Sequence, residues 1–230
     1  AQLDGWRTAF MVIAALSLTA TLAIAWSVPR LSASTAIGAD ALAGVLKNRT
    51  FQRIYLATAC AITAHFAAFT FIEPMLSSAL NIRVNLISTL LLVFGVAGVV
   101  GNIISGKLID RHLKRLVLAS LALMALSVLA IGCLPAESPA FIVGALLLGW
   151  GAGVAILFVG LQTWILRLAG QAAMPASAIY VAIFNAAIGA GALLGGIVLS
   201  IFTLSGLMVI AAVAIAASLV PVILIKPPAT

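Results

Sequence analysis

The chain has 230 residues, 64% of them hydrophobic and only 7% charged, with a formal net charge of +7, a pI near 10.3 and a mean hydropathy of +1.30. A water-soluble fold of this length cannot hide so much apolar surface, so lipid is the solvent that sets the architecture. The basic residues lie between apolar runs and not on a solvated face, which excludes a nucleic-acid-binding module and makes the charges markers of topology.

Residues 1–7 carry no initiator Met and no basic segment before an A-x-A site, so no signal peptide is expected and the start reads as truncated. The first run able to cross about 30 Å of hydrocarbon is 8–28. A connector at 29–50 follows, containing Ser, Gly and Asp and ending in Lys47-Asn48-Arg49; it reads as a linker on the cytoplasmic side, with 41–47 as a short surface helix. Further runs occupy 54–76, 86–108, 116–134, 140–165, 176–204 and 207–225, the last two separated by little more than Ser205-Gly206. About seven transmembrane helices are therefore expected, in an all-α integral membrane fold. Cys60 and Cys133 lack metal-site spacing and read as packing thiols.

Charge placement orients these runs. Arg30, Lys47, Arg49, Arg53, Lys107, Arg111, Lys114, Arg115, Arg167 and Lys226 fall on one side, and only Arg7 and Arg83 on the other. Because basic loops stay cytoplasmic, the N-terminus is expected outside and the C-terminus inside. Glycines and other small residues punctuate the spans, with G-x-x-x-G pairs at Gly149/Gly153 and Gly191/Gly195. In lipid such residues let helix backbones approach closely, and their smooth faces also permit rocking. The spacing of a phosphate-binding glycine loop is not present.

Residues 106–115 read Gly106-Lys107-Leu108-Ile109-Asp110-Arg111-His112-Leu113-Lys114-Arg115. This G-x-x-x-D-R-x-x-K-R pattern resembles the cytoplasmic loop signature of the major facilitator superfamily, with Leu113 where glycine is usual. Gly5-Trp6-Arg7-Thr8-Ala9-Phe10 resembles the start of helix six in that family. The stretch from His65 to Pro74 resembles helix seven of bacterial drug, sugar and nucleoside efflux permeases, with Glu73 where relatives often carry Arg. The resemblance covers nearly the whole chain and implies helices six to twelve of a drug:proton antiporter. Residues 1–28 would then be the last helix of a truncated N-terminal half, 29–50 the linker, and 51–230 a C-terminal six-helix bundle.

The implied function is secondary active transport, proton-coupled efflux of drugs, sugars or nucleosides by alternating access, by a chain that is itself an incomplete fragment. The alternatives are a transport-inactive or partner-dependent half, or a facilitator importing a small metabolite. No cofactor and no metal is expected, only a proton gradient. The expected partners are lipids, a small-molecule substrate and the missing N-terminal half, with no nucleic acid, and the implied location is the bacterial inner membrane.

Several residues are candidates for the work. His65 lies about 16 Å into its run, near the bilayer midplane where carrier sites sit, and is either a substrate or proton ligand or a hydrogen-bonded packing residue. Phe69 and Glu73 follow at i+4 and i+8 on the same stripe, Glu73 being either a proton carrier or an interfacial carboxylate before Pro74. Asn185, about 13 Å into its run, is a cavity-lining group or interhelical glue. Gln162 is a further candidate, whereas Trp164 reads as an interfacial anchor. Within the loop signature, Gly106, Asp110, Arg111, Lys114 and Arg115 satisfy the charge rule for topology, and the family resemblance adds a gating role for Asp110 at a helix N-terminus. A retinal protein would need a Lys inside the last span, and a hydrolase would need paired carboxylates or a Ser/His/Asp set at membrane depth; neither pattern occurs, so no enzyme is expected.

Overall fold

The computed structural model describes residues 5–27 and 38–225, which separate into two units, Ala1–Ala36 and Ile37–Thr230. The side chain of Trp6, the 28–37 part of the linker with Arg30, and Lys226 lie outside the described residues. All regular structure among the described residues is helical.

The first unit contributes α1, Gly5–Ser27. At 1.5 Å per residue it spans about 35 Å, enough to cross a membrane. Its large side chains, among them Phe10, Leu16, Leu22 and Trp26, are exposed all round. A helix apolar on every side finds its solvent in lipid.

The second unit begins with α2, Ala39–Lys47, which buries Val45 and leaves Lys47 outward. Asn48 ends α2 and starts α3, Arg49–Thr70, by accepting the Thr50 N–H on its side chain at 2.9 Å. Such a cap satisfies one of the amide donors that a helix start leaves open. The helix is interrupted at Phe71 (φ −108°, ψ 19°), and α4, Ile72–Pro74, with a π-turn at Met75–Ala79, continues at 52° to it. Pro74 cannot donate to the carbonyl four residues back, which explains a break at this point.

The helix α5, Val84–Cys133, has 50 residues, about 75 Å of helix and too long for one crossing. His112 leaves helical geometry at φ −132°, ψ 27°. The two halves flank the same stretch of α6, Ala140–Ala169: Gly151 lies against Phe94 and Ala97, while Gly149 and Gly153 lie against Leu123, Ser127, Ser120 and Met124. The chain therefore reverses at His112, within the loop signature. Residues 134–139 turn the chain from α5 into α6, and the reversal after α6 is made by Gly170, whose φ of +50° suits glycine, leading through Gly170–Ala172 into α7, Ala173–Ile201.

The final reversal falls elsewhere than Ser205-Gly206. The helix α7 ends at Ile201, and Thr203 caps α8, Leu204–Ala217, by accepting the Gly206 N–H at 3.1 Å. A hydroxyl able to cap a helix outweighs the turn preference of the glycine, which sits inside the first turn. A last short helix, α9, runs over Leu219–Ile223.

Counting α3 with α4, each half of α5, α6, α7, and α8 with α9 gives six crossings in the second unit, and α1 brings the total to seven. The core is built from Ile54, Ile62, Leu121, Met124, Leu147, Trp150, Leu157 and Leu161, all fully buried. Small residues bring the backbones together, with Gly191 and Gly195 of α7 against the carbonyls of Thr63 and Ala67 of α3. Cys60 and Cys133 are exposed and do not act as packing thiols.

Candidate functional site

The centre of the second unit holds a buried polar group. His65 is 16 residues from the start of α3 and 14 from the end of the π-turn that continues it, so it sits near half-depth. Its exposure is 3%, and its partner comes from another helix: the indole N–H of Trp150 on α6 donates to His65 Nδ1 at 3.1 Å. Trp150 is fully buried. A tryptophan can only donate, so the accepting nitrogen of His65 carries no proton, and a neutral ring then carries its proton on Nε2. His65 is thus both hydrogen-bonded packing and a polar group with a second nitrogen to spend.

Aromatic rings enclose that histidine. Phe66, Phe69, Trp150 and Phe158 lie with ring centroids 4.8, 5.5, 5.7 and 5.9 Å from it. Phe94 of α5 packs on Phe69 at 5.0 Å, and Phe184 of α7 on Phe158 at 4.9 Å. Phe66, Phe69, Phe94, Phe158 and Phe184 are only half-buried, so four helices present one aromatic face above His65. Edge-to-face packing of this kind fixes ring orientations and leaves ring faces available.

Other candidates lie apart from this cluster. The 52° bend falls between Phe69 and Glu73, so the stripe begun by His65 ends at Phe69, and Glu73 is exposed on α4. Gln162 donates from Nε2 to Ser177 Oγ at 3.4 Å, joining α6 to the start of α7. Asn185 is exposed and donates only to Val181 O on its own helix, at 2.8 Å. Trp164 is buried, at 6% exposure, and is part of the core.

At the basic end of the bundle, Asp110 forms an ion pair with Arg167 near the end of α6, and Arg167 Nη1 also donates to the carbonyls of Ile109 and Asp110 at 3.4 and 3.3 Å. A guanidinium is well suited to hold a carboxylate and nearby carbonyls in one plane. Lys114 Nζ donates to Ile223 O at 2.9 Å and Ile225 O at 2.6 Å, and Arg53 donates to Leu224 O between them. These carbonyls have no helical N–H donor, because the helix ends there, and cations satisfy them well. Arg111 and Arg115 are exposed. A methyl group on Gly106 would meet nothing within 4 Å.

Sequence reasoning missed Trp150, the phenylalanines other than Phe69, and the pairing role of Arg167. Trp150 had a readable signal, since it falls midway along an apolar run where interfacial anchors do not belong. A family model described as the Major Facilitator Superfamily matches residues 54–230.

Proposed function

Because the chain belongs to the major facilitator superfamily, a family of membrane transporters and not of enzymes, we propose that it is a secondary active carrier performing proton-coupled efflux of a small molecule. Residues 8–28 are read as helix six, and the six crossings of the second unit as helices seven to twelve, with the basic end in the cytoplasm of a bacterial inner membrane.

The observation that carries this reading is His65, a polar side chain buried at half-depth beneath an aromatic face that four helices build. Burying an imidazole in an apolar core costs free energy unless the group is used, and hydrogen bonding by Trp150 accounts for one nitrogen only. A substrate resting on that face would touch Phe66, Phe69 and Phe158 and meet His65 below. The ion pair Asp110–Arg167 ties the loop signature to α6 at the basic end, where it would oppose opening on that side and release it when broken. Glu73, exposed toward the other end, is the proton carrier in this scheme. Efflux over uptake is supported by the helix-seven resemblance alone.

The decisive experiment is flux of a radiolabelled solute panel into everted membrane vesicles containing the protein, with and without an imposed proton gradient. Accumulation that needs the gradient and stops with a protonophore is the expected result. Solute movement that equilibrates without responding to the gradient would replace the antiporter with a facilitator.

A further inference from the structure

The hydrogen bond between Trp150 and His65 says more than that the histidine is buried. We infer that Trp150 is a positioning residue that fixes His65 as the neutral tautomer with its proton on Nε2, so that His65 presents a fixed hydrogen-bond donor to the substrate and selects uncharged ring solutes bearing an oxygen acceptor. This rests on the carrier reading above and names the substrate class of that site.

Three features of the site support this assignment. The Trp150 indole N–H, fully buried, points at Nδ1 from 3.1 Å, and an imidazolium, which donates from both nitrogens, could not accept it. Nε2 has no hydrogen-bond partner among the described residues, and it belongs to a ring that is 3% exposed beside the half-buried Phe66, Phe69 and Phe158. A buried donor that does not pair within the protein is left for a ligand, and it needs an acceptor.

The third observation is charge. The described carboxylates are Asp40, Glu73, Asp110 and Glu137. None belongs to the aromatic cluster; Glu73 lies beyond the bend of α3, and Asp110 is held by Arg167 at the basic end. Ring faces attract cations, but at half-depth a cation without a counter-carboxylate is costly, and an N–H donor among the rings adds to that cost. A flat, uncharged ring with C–H bonds for the phenylalanines and a hydroxyl or carbonyl oxygen for Nε2–H fits all of these groups. Sugar-like and nucleoside-like solutes share that chemistry, and a lipophilic cation lacks it.

Two histidines in the whole chain make the test direct. The full protein with the substitution His112→Asn, labelled with 15N-histidine and held in lipid bilayers, leaves His65 as the sole histidine observed by solid-state NMR. The expected spectrum has one neutral ring protonated at Nε2; Trp150→Phe, which keeps an aromatic ring and removes the donor, is expected to give a mixture of tautomers. An imidazolium, the opposite tautomer, or an unchanged spectrum in Trp150→Phe overturns the assignment whether or not transport is ever detected. Methyl β-galactoside and uridine are the neutral probes and tetraphenylphosphonium the cationic one. In vesicles, Trp150→Phe should raise KM for the carried neutral probe about tenfold with kcat changed little, as expected for losing one oriented hydrogen bond. Transport of tetraphenylphosphonium with an unaltered KM in Trp150→Phe refutes the substrate class.

Discussion

Gly191→Ala offers a quantitative check on how α7 is held to α3. A Cβ at this position would stand 2.5 Å from the Thr63 carbonyl oxygen, 2.9 Å from Phe66 Cβ and 3.1 Å from the Ala67 amide nitrogen. The tightest of these is about 0.9 Å short of ordinary van der Waals contact, and two of the three atoms are backbone, so no side chain can swing aside. The helices must separate or shift, and overpacking of this kind costs about 1–3 kcal/mol. Gly189→Ala is the matched control, because its Cβ would meet nothing within 4 Å. There alanine only lowers the entropy lost on helix formation and should be neutral or stabilising by up to ~1 kcal/mol. Unfolding of both variants by SDS titration from lipid–detergent micelles, followed by helical circular dichroism, ranks them. The packing account fails if Gly191→Ala unfolds at the same or higher denaturant than Gly189→Ala. The double substitution Gly191→Ala with Gly195→Ala should cost less than the sum of the two singles, since one displacement of α7 relieves both contacts.

Three further outcomes follow from the ends of the bundle. Asp110→Asn and Arg167→Gln should each reduce vesicle flux at least tenfold while changing unfolding stability by under ~1 kcal/mol, because the Asp110 side chain is 80% exposed and that of Arg167 39% exposed; full activity in either removes the gating role. Lys114→Met should loosen the end of α9, since Lys114 holds the carbonyls of Ile223 and Ile225. Hydrogen exchange at residues 219–225 should accelerate severalfold, in keeping with a loss of about 1 kcal/mol for a cation at a helix C-terminus, and unchanged exchange would show that Arg53 alone suffices. Glu73→Gln should abolish the dependence of flux on external pH without affecting folding, and a retained pH dependence assigns proton coupling elsewhere.

Much of the architecture can be read along the chain because membrane crossing is a local property. Each run of apolar residues carries its own transfer free energy, and the connectors between them must hold the charges. The six runs of the second unit reappear as crossings, shifted by a few residues where a cap or a proline acts, as at Asn48, Phe71 and Thr203. The loop signature at 106–115 was equally legible, and His65 stood out because a polar residue at that depth is unusual.

Partners distant along the chain could not be read in this way. Trp150 lies 85 positions from His65, Arg167 lies 57 from Asp110, and the carbonyls held by Lys114 lie 109 and 111 positions away. Hydropathy is blind to which side of a helix faces which neighbour, since lipid and protein interior are equally apolar. Composition and charge spacing thus determined membrane residence, the number of crossings and the basic end. Only close packing through Gly101, Gly151, Gly191 and Gly195 decided which helices touch, and with them that His65 meets Trp150 beneath an aromatic face.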